Sequence, residues 1–261
     1  MINPLLLHVS RPVMKNTTLT ALSILIVASA AAAGDKPMLA IPGKVIYENK
    51  LDSAPGEPWK SAKGKWELAD GAWLGAEKPE DNHGAVTRLP NKLGDFVVEY
   101  EFQFQGARTT SFSINAVKDH MARINITPKS ITVQRDDNDH DGPDKAIVFA
   151  RVPADLQPGT WHKVRMEMVG DTMLGQVDDF AAYGSSDLFK QDRMAPGFTV
   201  GGQSVAFRNL KISEATLNPE WESVKAGLPK PGEKVTPVAA PAAKGAAKGK
   251  GKGKGKAKKA E

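Results

Sequence analysis

Between Asp95 and Phe104 apolar and polar side chains alternate with a period of two. Phe96, Val98, Tyr100, Phe102 and Phe104 fall on one parity; Val97, Glu99, Glu101 and Gln103 fall on the other. In a pleated strand these parities are opposite faces, so the pattern predicts a strand with five large apolar groups on one side. A lone sheet leaves such a face wet, and a second layer must cover it. The expected fold is all-β: a two-sheet antiparallel β-sandwich.

The same period recurs along the chain. KVIYEN (44–49) and AVTRL (85–89) are short strand candidates, and WELADGAWLG places two apolar segments about an Asp70–Gly71 hairpin turn. Alternation continues in SFSINAV, ARINI and SITVQ. After the polar run RDDNDHDGPDK it resumes in AIVFARV and in WHKVRMEMV, where Val164, Met166 and Met168 share a face. In SVAFRNLKI the pair Val205 and Phe207 is out of phase with Leu210 and Ile212, which predicts a bulge near Arg208 or Asn209. Only DLFKQD, from Asp187, reads as a helical turn, and it lies in a loop. About ten to twelve short strands with no long helical period suit one large jelly-roll sandwich.

The two ends read differently. Lys15, then the apolar TLTALSILIVAS, then small residues to Ala33 has the layout of a secretory signal, with Met14 a candidate initiator. The organisation expected is a signal over 1–33, a sandwich over 34–217 with a loose lead-in to residue 42, and a patternless tail over 218–261. Export, to periplasm or outside, follows, with no membrane span in the mature form. The chain has no cysteine, which excludes thiol nucleophiles, thiolate metal sites and a disulfide-stapled module. The formal net charge is +5, yet residues 244–261 alone carry +7 and residues 1–33 carry +2, leaving 34–243 at −4. A basic domain face for nucleic acid is therefore not indicated. The Lys/Gly-rich tail suits an anionic surface polymer or other polyanion, and serves equally as a solubilising end.

Candidate chemistry is sparse. Asp137, Asp139 and Asp141, followed by Gly142, form the first half of a calcium loop, in which alternate carboxylates converge and glycine permits the turn. Val148 stands where the closing Glu would be, and an acidic hairpin connection has the same appearance. His83, His120, His140 and His162 show no zinc spacing, and no G-x-S-x-G is present. Glu99 and Glu101 could line a glycosidase cleft, although a solvated strand face also alternates acids. Trp59, Trp66, Trp73 and Trp161 could stack on sugars or close the core.

The span from about Lys44 to Glu214 resembles the 3-keto-disaccharide hydrolase domain, formerly a domain of unknown function. The matching pieces are W-x-x-x-D-G at Trp66–Gly71, GDFVVEYEF from Gly94, PGTWHKVRMEMVGD from Pro158 and VAFRNLKI from Val205. This resemblance implies a concanavalin A-like, laminin-G-like sandwich of an exported bacterial protein. Departures lie where the family carries its cleft: TTSFSINAV stands for an N-S-G-I-like strand, Asp178–Asp179 for an N-G turn, and VGGQS for a segment with a histidine.

The resemblance implies a glycan or small saccharide as partner, either bound or cleaved beside a 3-keto group. For cleavage the polar residues assigned are His120, Arg123 and Arg135, with a cation such as calcium able to polarise the keto oxygen. The alternative is a non-catalytic carbohydrate-binding or surface-interaction module tethered by its cationic tail.

Overall fold

The computed structural model describes residues 38–137 and 145–234. All of them belong to one contact unit, which begins after Ala31. Fourteen strands form one hydrogen-bonded network: β1 Ala40–Asn49, β2 Lys60–Lys63, β3 Lys65–Ala69, β4 Ala72–Ala76, β5 Ala85–Arg88, β6 Lys92–Leu93, β7 Phe96–Asn115, β8 His120–Thr127, β9 Ser130–Arg135, β10 Ile147–Pro153, β11 Trp161–Val169, β12 Thr172–Val177, β13 Phe180–Ser185 and β14 Arg193–Leu217. The fold is an all-β sandwich of the concanavalin or laminin-G type.

Two long antiparallel strands, β7 and β14, pair along most of their length and run through both layers. The C-terminal half of β7 and the N-terminal half of β14 form the front sheet with β8, β9 and β10 on one side and β5 and β2 on the other. Their other halves form the back sheet with β11, β12 and β13 on one side and β1 and the β3–β4 hairpin on the other. The bend between layers lies where Gly106 (φ 95°) passes Gly202 (φ 98°), with register shifts on either side of Gly202. Both positions need the left-handed region that glycine occupies without strain.

The bend brings each strand's aromatics back onto themselves. Tyr100 and Phe112 of β7 lie 5.5 Å apart between ring centroids, and Phe198 and Phe207 of β14 stack at 4.3 Å. Tyr100 meets Phe198 edge-on at 5.0 Å, so one aromatic cluster joins both strands and both sheets. The five inward residues expected of the Phe96–Phe104 stretch are all buried. Farther out, Gly175 of β12 leaves room for Ile124 and Val133 of the front sheet, and Gly184 of β13 leaves room for Phe149.

Local expectations fare well. Asp70 and Gly71 both have positive φ, as the two-residue turn between Ala69 and Ala72 requires. The β14 register shifts between Arg208 and Lys211, with Asn209 at φ 55°. Asp187–Lys190 is a 3-10 turn whose preceding Ser186 caps it through Leu188 N–H.

Three readings change. The segments flanking Gly106 are one strand, and β14 begins eleven residues before the SVAFRNLKI segment. The lead-in is not loose up to residue 42: Leu39 is fully buried, β1 starts at Ala40, and Ala40 N–H donates to Glu167 Oε2 at 2.7 Å. Nor does order end at Leu217. A short helix, α1 Trp221–Lys225, seats Trp221 against Tyr183 at 5.4 Å, in a small cluster with Leu39 and Leu174 on the outside of the back sheet. A single tryptophan at 6% exposure supplies the buried area that the composition of the tail withheld. The segments 1–37, with the expected signal, and 235–261, with the lysine tail, lie outside the described residues. No helix among the described residues is long and apolar enough to cross a membrane.

Candidate functional site

The two outer faces of the sandwich carry opposite electrostatic designs. On the back sheet, register places Glu48, Lys211, Glu99, Arg165 and Gln176 in one row. Arg165 Nη1 lies 2.6 Å from Glu99, and Lys211 lies 3.9 Å from it. In the next row Arg208 pairs with Glu101 at 2.6 Å and also lies over the Trp161 ring at 4.0 Å. Glu167, fully buried, is bound by Arg165, and burial pushes its carboxyl above the ordinary value while Arg165 opposes the rise. A hollow of about 350 Å³ lies among these groups. Glu99 and Glu101, considered from sequence as a glycosidase pair, are each held by a cation of a neighbouring strand. This face is internally neutralised.

The front sheet differs. One row across it reads Arg88, Gly197, Ser113, Arg123 and Gln134; the next reads Val86, Thr199, Ser111, Asn125, Thr132 and Arg151. The inward positions of these strands are Phe112, Ile114, Phe198, Val200, Ile124 and Val133, all buried. Strict alternation thus sets an apolar floor beneath and hydroxyl, amide and guanidinium groups above. Thr109 Oγ1 lies 3.0 Å from Asn125 Oδ1, and Arg151 Nε donates to Thr132 Oγ1 at 3.3 Å.

Arg88 and Arg123 frame this surface. Gly197 lets Arg88 lie across β14, since a Cβ there would fall 2.8 Å from Arg88 Cγ. Arg88 thereby reaches Ser113 Oγ at 3.1 Å and the Ala195 carbonyl at 2.8 Å. Burial, and secondly the nearby Arg123 charge, press Arg88 down to about 10, while Asp136 pulls the other way. Arg123 donates through Nε to both carboxylate oxygens of Asp136 at 2.8 Å, and Gln134 Nε2 donates to the same group. Asp136 is 3% exposed and fixes the Arg123 guanidinium from below.

A hollow of about 310 Å³ opens on this face between Lys63, His83, Arg88, Ser113, Asn115, His120 and Arg123. Its described lining contains no carboxylate. Among the described residues Asn115 Oδ1 is buried without a hydrogen-bond partner. His83 Nδ1 donates to the Gly84 carbonyl at 2.8 Å, and the same histidine borders a second hollow beside Glu77 and Gln203.

His120 and Arg123 thus line one hollow, and Arg135 lies apart from them. Arg135 pairs with Ala122 on the inward parity of β9, is 8% exposed, and donates to the Lys145 carbonyl at 2.7 Å. Sequence reasoning assigned it to the same polar set as His120 and Arg123, and its inward parity places it elsewhere. Of the expected calcium ligands, Asp137 is described, and Asp139 and Asp141 lie outside the described residues. Among the described residues no group of three His, Asp or Glu side chains is placed to hold a metal. The tryptophans do not form a sugar platform here: Trp59 stacks on Phe198 in the core, Trp66 and Trp73 stack on each other, and Trp161 lies under Arg208. Sequence reasoning missed Arg88 and Ser113, whose partnership depends on Gly197 of a strand a hundred residues away. It also missed that His162 faces inward over Phe102, with Nδ1 2.7 Å from Asp178 Oδ2.

No protein-family model matches the chain, and no curated protein matches it. Solved structures do. A Bacillus subtilis protein of unknown function with a galectin-like fold superposes with a TM-score of 0.53 at 11% identity, over 69% of this chain and all of that one. The Crh5 transglycosylase in complex with NAG gives 0.52 at 12% identity, over 70% of this chain and 88% of that one. A variant of SCLam, an endo-β-1,3(4)-glucanase of family GH16, gives 0.52 at 12%, over 70% and 99%. At such identities the likeness is one of fold. The resemblance drawn from sequence is supported as far as that sandwich and no further.

Proposed function

We propose that this protein is an exported, carbohydrate-associated β-sandwich that holds a saccharide on the outer face of its front sheet. The observation that carries the reading is the pair of in-register rows running from Arg88 to Gln134 and from Val86 to Arg151. A sugar presents a dense set of hydroxyls, each both donor and acceptor. The half-buried Arg88, Arg123, Asn125, Gln134 and Thr199 of these rows meet that demand on a rigid sheet, with Ser111, Ser113 and Thr132 buried between them. The back face differs in kind, because charged side chains line it and Glu99 and Glu101 are each held there by a cation. Among proteins sharing this fold, one neighbour is described with NAG bound and another with a β-glucan oligosaccharide, which agrees with the reading. Export rests on the signal-like start. The lysine tail would tether the domain to anionic polymer.

A second reading, cleavage of 3-keto-glycosides, is favoured by His120 standing beside Arg123 and Arg88. A 3-keto group acidifies the C2–H; an imidazole would take that proton, a guanidinium would stabilise the enolate oxygen, and collapse of the enolate would expel the C1 glycosidic oxygen, which takes the proton back from the imidazolium. A paired-carboxylate glycosidase mechanism finds no carboxylate in the described lining of this hollow. Calorimetry and product release with simple and 3-keto-disaccharides test both readings. Binding that is weakened in Arg123→Ala is expected; turnover lost in His120→Ala would establish the second reading, and silence with every sugar would overturn both.

A further inference from the structure

The front-face hollow is strongly biased in charge. Lys63, Arg88 and Arg123 line it, with His83 and His120 between them, and its described lining holds no carboxylate. The bias runs against the domain as a whole, since residues 34–243 carry −4. It also contrasts with the back sheet, where Glu99 and Glu101 neutralise the neighbouring cations. Among the described residues one carboxylate, Asp136, lies within hydrogen-bonding range of Arg123, and it binds Nε only. Both Nη groups of Arg123 are left without a hydrogen bond among the described residues. These are the donors a guanidinium uses to grip a planar anion.

We infer that this hollow takes a saccharide bearing an anionic substituent, a uronate carboxylate or a sulfate ester, with the anion against Arg123 and Lys63 and the ring along the hydroxyl and amide rows. The inference rests on the saccharide reading above and narrows its substrate class. A purely anionic ligand would leave the half-buried Thr199 and Asn125 unused, and a neutral sugar would leave two guanidiniums sharing one carboxylate, Asp136. The depression of Arg88 by burial and by Arg123 agrees with a site short of negative charge. A volume of about 310 Å³ matches one or two sugar rings more closely than a long chain.

The test is calorimetry on the full chain with cellobiose, with its glucuronate-containing counterpart and with a sulfated cellobiose, at low and at moderate salt. Small ligands keep the lysine tail from dominating. The acidic sugars are expected to bind at least about tenfold tighter than cellobiose. Lys63→Gln should weaken them by a few fold, leaving cellobiose unchanged, and Arg123→Gln should weaken them by about tenfold more than it weakens cellobiose. Because Arg123→Gln strands Asp136 and could unfold the site, Lys63→Gln is the safer variant: its exposed side chain makes no hydrogen bond within the described residues. The carboxylate and sulfate arms separate the two anion sources. Equal affinity for neutral and acidic sugars would overturn the inference and keep the saccharide reading. A preference for acid that both variants leave untouched would assign it to the tail and overturn the inference. Inorganic sulfate binding as tightly as the sugars would also overturn it, and no binding of any sugar would remove both.

Discussion

Arg88 on β5 donates to Ser113 Oγ on β7 at 3.1 Å, and it does so by lying across Gly197 of the strand between them. This contact fixes one wall of the front-face hollow. It joins three strands that are far apart in sequence, and its weakest point is the glycine.

Gly197→Ala should therefore damage both fold and site. The new Cβ would fall 2.2 Å from the Thr87 carbonyl oxygen, backbone that cannot easily move, and 2.8 Å from Arg88. Urea denaturation should show a loss of about 1–3 kcal/mol, the range of overpacking, together with weakened ligand binding. Gly94→Ala, with open space around it, should stay within about 0.5 kcal/mol. Equal stability of the two variants would show that Arg88 does not lie across the strand.

Some of this architecture can be read from the chain and some cannot. The parity of Phe96 to Phe104 is a local pattern with a fixed period, and so are the Asp70–Gly71 turn and the phase slip at Asn209. Arg135 defeats the same logic: it continues the inward parity of Ile131 and Val133, but its charge and the adjoining loop suggest solvent. The N-terminal half of β14 is hidden because Pro196, Gly197, Gly201 and Gly202 interrupt any alternation. Those same glycines let β5 and β7 crowd the strand. The front-face rows are invisible in one dimension, because each strand contributes only two or three short polar residues, and register alone aligns them.

Trp221 makes a prediction about the chain's end. A stop after Lys234 should leave the melting temperature unchanged and abolish retention on an anionic polymer. Trp221→Ala should cost at least about 2 kcal/mol, since it empties the cluster with Leu39, Leu174 and Tyr183. Equal stability of Trp221→Ala and the parent would mean that α1 is dispensable to the fold.

Glu167 should impose a pH dependence on folding. Its carboxyl is raised above 4.5 by burial, so the folded state binds that proton more tightly than the unfolded chain. Its contribution is therefore most favourable below the unfolded value and is lost as pH climbs through the folded one. Glu167→Gln should flatten the stability curve above about pH 4.5, measured by denaturant titration at stepped pH. A slope identical to the parent's would show that Arg165 keeps Glu167 ionised throughout.

The acidic segment yields a ligand test. If Asp137, Asp139 and Asp141 hold calcium, adding the ion should raise the melting temperature by preferential binding to the folded state, and Asp139→Ala should remove the rise. Identical melting curves in calcium and in chelator would withdraw the metal from the account.

The most direct measurement of the central claim is a map of backbone amide chemical shifts in the full chain as the saccharide panel is titrated in. Saccharide binding at the front face predicts that Ser111, Ser113, Arg123, Asn125 and Thr199 shift together and saturate with the calorimetric affinity, while Glu99, Lys163 and Arg165 stay in place. Shifts confined to the back sheet or to the lysine tail would contradict it.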